Sequence, residues 1–147
     1  MRIWLYDTLV ADAPLRTLLG VELIDTATMM KRIKPRQSET SIPPNEDIPF
    51  LVIGLGNETN EGLAEADDHI TERQFFSIWI HDRGGDYTLI DQIIDRVKKI
   101  FREAFSVEYQ VTMVTYLETS QEFENQTYNT LFRYVRFQAI ISKGEAA

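Results

Sequence analysis

The sequence predicts an α+β fold, a single domain in which a mainly antiparallel sheet of about five strands carries two helices on one face. Three observations lead to it. The 147 residues suit one core, since a domain of that size buries roughly 70% of the surface its unfolded chain exposes. One segment, residues 86–104, repeats apolar side chains at helical spacing, whereas its neighbours alternate with period two. The patterns succeed one another as helix, strand, strand, strand, helix, strand, strand, without the regular alternation of a parallel α/β sheet.

Taken in order, Ile3, Leu5, Tyr6, Leu9 and Val10 recur near helical spacing, and Asp12 with Pro14 starts a second turn that Gly20 closes. Residues 2–19 are thus expected to form one broken helix. Met29 to Pro35 alternates loosely, with Lys31, Arg32, Lys34 and Arg36 on both faces, as an edge strand would. Residues 37–47 are polar, contain Pro43 and Pro44, and bury too little to offset the entropy of ordering, which predicts a mobile loop. Ile48 to Gly56 is a continuous apolar run, expected to be a central strand covered on both faces. A second mobile loop is expected over 57–71.

Glu72 to Asp82 sets Phe76, Ile78 and Ile80 on one face and Phe75, Trp79 and His81 on the other, a strand pattern. Gly84 and Gly85 turn the chain, and Asp86 is placed to cap a helix with the stripe Leu89, Ile90, Ile93, Ile94, Val97, Ile100, Phe101 and Ala104. Asp86 and Asp91 near its start, and Lys98, Lys99 and Arg102 near its end, suit the helix dipole. Glu108 to Thr119 alternates Val111 and Met113 against Thr112, Val114 and Tyr116. Phe132 to Ser142 alternates Val135, Phe137, Ala139 and Ile141 against Tyr134, Arg136 and Gln138. Both read as strands. Residues 118–130 lack periodicity and are expected to project as a third mobile loop.

Composition narrows function. With 15 Lys and Arg against 23 Asp and Glu, the net charge of −8 opposes nonspecific adhesion to nucleic acid or anionic membranes. Cysteine is absent, which removes disulfides, thiolate zinc sites and cysteine nucleophiles, and is compatible with a reducing compartment. The opening Ile3-Trp4-Leu5-Tyr6 briefly imitates a signal peptide before Asp7 interrupts it. No apolar run approaches the ~20 residues of a membrane span, so a soluble chain is expected.

Recognisable catalytic patterns are missing, so no catalytic residue, cofactor or metal is expected. Gly54-Leu55-Gly56-Asn57-Glu58-Thr59 resembles the start of a dinucleotide fingerprint, but Thr59 stands at the third glycine and no helical stripe follows. The plainer reading is a strand that ends in a glycine turn. His69 and His81 have no second histidine at metal-ligand spacing. Asp67-Asp68-His69 lacks the alternating ligand order of a calcium loop. An alternative reading, a small-molecule-binding domain or enzyme, requires a pocket around His81, Asp82 and Asp86.

Charge is unevenly placed. Residues 57–72 hold six acids, Glu58, Glu61, Glu65, Asp67, Asp68 and Glu72, and no Lys or Arg, which supplies most of the net charge. Such a stretch attracts basic protein surfaces and repels phosphate. Glu58, Glu61, Glu65, Asp67 and Asp68 form a candidate partner-facing or lumen-facing loop. Lys31, Arg32, Lys34 and Arg36 form its basic counterpart, a candidate subunit contact. Trp4 and Tyr6 join them as candidate interface aromatics.

The layout resembles the tail terminator, or tail completion, proteins of long-tailed bacteriophages. The resemblance rests on the opening helix Trp4-Leu5-Tyr6-Asp7-Thr8-Leu9, the strand Pro49 to Gly54, and the block Gln74 to Asp82 with Gly84-Gly85-Asp86-Tyr87. It continues in the helix Leu89 to Val97 and the closing strand Leu131 to Ile141, and so covers nearly the whole chain. It implies a structural virion protein at the head-proximal end of the tail, assembled in the host bacterial cytoplasm. Copies would form a ring, a hexamer in that family, which caps the tail tube protein, ends its polymerisation and docks the head connector or stopper protein. DNA would pass through without specific binding, and an acidic lumen would keep it from adhering. Another neck or connector component is the alternative role within the same assembly logic.

Overall fold

A computed structural model describes residues 1–21, 26–35, 43–60 and 69–145. Helices α1 (Arg2–Val10), α2 (Ala13–Leu19) and α3 (Thr26–Arg32) precede strand β1 (Ile33–Lys34) and a 3-10 turn at Asn45–Asp47. Strands β2 (Phe50–Asn60) and β3 (His69–Asp82), helix α4 (Thr88–Arg102), and strands β4 (Val111–Thr119), β5 (Phe123–Asn125) and β6 (Thr130–Glu145) follow. The expected α+β class is found. The sheet order is β1-β2-β3-β6-β4, with β5 also pairing β6. Every pair is antiparallel except β1 with β2. None of the described helices is long and apolar enough to cross a membrane.

One sheet face holds the main core. Leu51, Ile53, Phe76, Ile78, Ile80, Val135, Phe137, Ala139 and Ile141 meet Leu5 and Leu9 of α1, Leu15 and Leu19 of α2, and the α4 stripe. Helix α1 lies over β1 and β2, and α4 over β3, β6 and β4. The stripe works because Ile90, Ile93, Ile94, Val97 and Phe101 recur at helical spacing and are all buried. Tyr87, and not the expected Asp86, stands at the cap position of α4; Asp86 lies one residue earlier, its Oδ1 accepting from the Thr88 N–H at 3.0 Å.

The break between the first two helices is built by Asp12. Its carboxylate caps α2 by accepting from the Leu15 N–H at 2.9 Å, and it takes Arg96 of α4 in a fork at 2.6 and 2.8 Å. The Arg96 hydrogen bonds hold its carboxyl below the usual range despite partial burial. Gly20 closes α2 with φ 73°, where any other residue strains. Replacing Asp12 by Ala is expected to cost about 1 kcal/mol for the cap alone, plus the loss of the pair to α4. Asp12→Asn retains the cap and loses only the pair, so the two variants should melt at different temperatures. Equal melting would show that the cap contributes nothing.

Four expectations are corrected. Residues 29–32 are helical, because Met29 and Arg32, three apart, are buried on one helix face, and only Ile33 and Lys34 pair with Leu51 and Val52. Strand β2 does not end in a glycine turn but continues to Asn60, with a register shift between Leu55 and Glu58. In β4 a register shift between Val111 and Met113 changes the parity, so Val111 and Val114 are both buried and Met113 is exposed.

Residues 118–130, expected to be a mobile loop, are ordered. β5 pairs with β6. The Arg133 guanidinium donates to Ser120 O at 2.9 and 3.1 Å and to Asp91 of α4 at 2.6 Å. Arg83 donates to Tyr128 O, Asn129 O and Asn45 Oδ1 at 2.7, 3.0 and 2.7 Å. The Tyr87 hydroxyl donates to Phe123 O at 2.9 Å. Of the other two expected loops, 37–42 and 61–68 lie outside the described residues, while 57–60 and 69–71 belong to β2 and β3.

Candidate functional site

The candidate interface residues separate on folding. Trp4 is in the core, edge-on to Phe101 at 6.4 Å. Tyr6 is half-buried beside that core, and its phenol is pushed up by burial and, second, by the Asp7 carboxylate. Lys31 is exposed at the end of α3. Arg32 is buried and donates to Pro49 O at 3.0 Å, to Glu46 O at 3.3 Å and to Leu19 O. Burial pulls its guanidinium below the usual range, with Asp47 opposing. Lys34 is buried too, its ammonium 4.7 Å from the Phe50 ring centre. Trp4, Arg32 and Lys34 are therefore buried within the folded chain, a correction to their expected place on its surface. In the acidic stretch, Glu58 is a β2 residue whose backbone pairs with Gln74. Arg36, Glu61, Glu65, Asp67 and Asp68 lie outside the described residues.

The acid–base grouping of His81, Asp82 and Asp86 is not assembled. His81 and Asp82 are neighbours in a strand and point to opposite faces, while Asp86 is occupied at the start of α4. His81 is buried in an aromatic slot, stacked on Phe50 at 4.7 Å and 5° and on Phe132 at 5.1 Å and 22°, with Tyr128 edge-on at 5.7 Å. Its Nδ1 sits 2.8 Å from Thr130 Oγ1. Desolvation, and second the Lys34 charge, lower its pKa to about 4, so the ring is neutral near pH 7. No set of three His, Asp or Glu side chains among the described residues converges as a metal site would need. Beside the slot, Arg83, Gly84, Gly85, Glu124, Asn125 and Gln126 border an open cleft of about 380 Å³.

The His81 slot belongs to a larger feature, the sheet face turned away from the helices. Phe50, Val52 and Tyr128 form a second small core there, with Ile48 and Trp79 packed against it. Around it runs a connected set of half-buried rings. Trp79 contacts Tyr134 at 4.8 Å and Phe132 at 5.7 Å, and Phe123 stacks on Phe132 at 5.1 Å and 19°. Arg136 lies 6.0 Å over the Phe75 ring and pairs with Glu118 at 3.1 Å. Gly54 and Gly56 explain their own presence here: a Cβ on Gly54 would meet Trp79 Nε1 at 3.2 Å, and one on Gly56 the Phe75 Cβ at 3.1 Å. The glycines leave room for aromatics to lie across β2, and the residues directly after them, through Asn60, continue as strand. This face presents preordered rings, suited to packing against another surface. Its signal in the sequence was the alternate face of residues 75–81 and 132–136. The contribution of Phe123 had no local signal.

No family model matches the sequence, and no curated protein matches it. Among solved structures, the fold is similar to that of a chain in the virion of a native gene transfer agent particle, with a TM-score of 0.62 and 14% sequence identity. The match covers 97% of this chain and 94% of that one.

Proposed function

We propose that this chain is a structural protein of a phage-type virion, and specifically a ring-forming tail terminator that caps the tail tube and offers the docking surface for the head connector. The observation that carries the reading is the likeness of fold to a virion chain along 97% of this chain and 94% of that one. The layout of the sequence supports the terminator role within that class, and the preordered aromatic face of the sheet supports a protein that works by being covered. On this reading it performs no turnover. A neck or connector component is the second reading, which the likeness to a virion chain supports equally.

The test is sedimentation of the purified protein with and without tail tubes, together with micrographs of particles assembled without it. A terminator is expected to sediment as a multimer, to bind tube ends, and when omitted to leave tails of uncontrolled length. Normal tails that fail to join heads would select the connector reading. A monomer that ignores tubes and turns over a metabolite would overturn both.

A further inference from the structure

A second open cleft, of about 470 Å³, lies between α4 and β4, and none of the residues around it borders the cleft beside His81. Phe101, Phe137, Val114 and Tyr116 line it together with Lys98 and Arg102. Its rings are fixed before anything binds. Phe137 lies 5.1 Å from Phe101 and edge-on to Tyr116 at 6.2 Å, and the Tyr116 hydroxyl is 2.7 Å from Thr119 Oγ1. The Lys98 ammonium sits 4.3 Å from the Tyr116 ring centre. Little conformational freedom therefore remains to be lost when the cleft is filled.

Charge and strand order together say what fills it. Lys98 and Arg102 are one turn apart on α4, and neither they nor Lys99 pair with a described carboxylate, whereas Arg96, Arg133 and Arg136 each do. The end of a helix favours positive charge, which explains the sign of these residues but not the placing of two of them against an apolar cleft. In a chain of net charge −8, this unpaired cationic pair is complementary to an anion. β4 is the last strand of the sheet, and its regular stretch Met113–Tyr116, between the two register shifts, borders the same cleft. That stretch contains no Lys, Arg or Pro to blunt its outer edge.

We propose that the α4–β4 cleft docks an extended acidic segment of another protein, which adds a strand beside β4, seats an apolar side chain against Phe101 and Phe137, and brings a carboxylate to Lys98 and Arg102. The site is separate from the aromatic face of the sheet and assumes no position in a virion. A nucleic acid strand suits it less. Asp91 and Asp95 border the adjoining hollow, which shares Lys98, and Glu103 follows Arg102, so a continuing phosphate backbone meets carboxylates on both sides.

The probes are fluorescent capped peptides Thr-Glu-Thr-Xaa-Thr-Glu-Thr with Ala, Leu or Phe at the centre, in which both acids and the central residue share one face of a strand. The same set with Lys for Glu, and a short single-stranded DNA, are the comparisons. Binding to the full chain is read by anisotropy, and hydrogen–deuterium exchange locates it. The acidic Leu and Phe peptides are expected to bind more tightly than the acidic Ala peptide and the whole lysine set, and to slow exchange over Val111–Thr119. Lys98→Glu combined with Arg102→Glu is expected to weaken the acidic peptides about tenfold and to strengthen the lysine set. Arg102→Glu alone, at an exposed position, should move both in the same direction by less, with circular dichroism verifying the fold of each variant. Acidic peptides that bind no better than the lysine set, or that protect another segment, would overturn the proposal. So would DNA that displaces them from β4, which would make the patch a phosphate contact. Protection of Val111–Thr119 in the free protein that is lost on dilution would assign the cleft to a second copy of this chain and overturn it as well.

Discussion

Phe137→Ala is expected to lower the unfolding free energy by about 3–5 kcal/mol, the range for removing a buried aromatic ring. That is a large part of the 5–15 kcal/mol typical of a domain. The position is severe because three elements meet on one ring. Phe76 of β3 stacks on it at 5.2 Å, Phe101 of α4 approaches at 5.1 Å, and Tyr116 of β4 lies edge-on at 6.2 Å. Phe101 then passes the contact to Trp4 of α1. Truncation leaves a hole lined by rings whose backbones are fixed in a sheet and a helix, so collapse around it is limited. Urea denaturation checks this, with the midpoint falling while the slope is unchanged. Phe137→Leu should recover part of the loss by filling some of the volume. A cost under about 1 kcal/mol for the alanine variant would show that α4 settles into the gap.

The same residues show why much of the fold was legible. Residues 72–82 and 132–142 were read correctly because β3 and β6 are paired along both edges and alternate strictly, so each odd or even set meets one environment. β4 was misread because it is an outer strand with register shifts after Val111 and Tyr116, and a shift moves every later side chain to the other face. α3 escaped detection because Arg32 reads as a surface charge, while its burial depends on carbonyls of Leu19, Glu46 and Pro49 that the fold brings to it. β5 escaped because its three residues are ordered by pairing with β6 and by the Tyr87 hydroxyl donating to Phe123 O from 36 residues away, neither of which leaves a local pattern. Of the candidate site, the rings on the outer face were visible as a period-two pattern.

Acidification is expected to destabilise the protein through His81, over a window set by the burial of its ring. In the folded chain the imidazole titrates at about 4, against about 6.5 when exposed. Between those values the unfolded chain binds more protons at this position than the folded one, so stability is full above pH 6.5 and falls as pH drops toward 4. Below that, both forms are protonated and the contribution of His81 no longer changes. The linkage amounts to about 3 kcal/mol at most, from 1.36 kcal/mol per pKa unit. The structural cause is specific. A charged ring would sit between Phe50 and Phe132, with Thr130 Oγ1 at hydrogen-bond distance and the Lys34 ammonium 4.7 Å from the Phe50 ring centre. Carboxylates also titrate in this range, so the measurement is the difference between wild type and His81→Phe, followed by urea midpoints from pH 7.5 to 4. The phenylalanine variant keeps a flat ring in the slot, loses the Thr130 contact, and should show a shallower decline on acidification. Lys34→Met, which removes the second cause, should raise the folded pKa of His81 in a proton-resonance titration. Parallel pH profiles for wild type and His81→Phe would mean that the histidine finds a partner for its proton inside the slot.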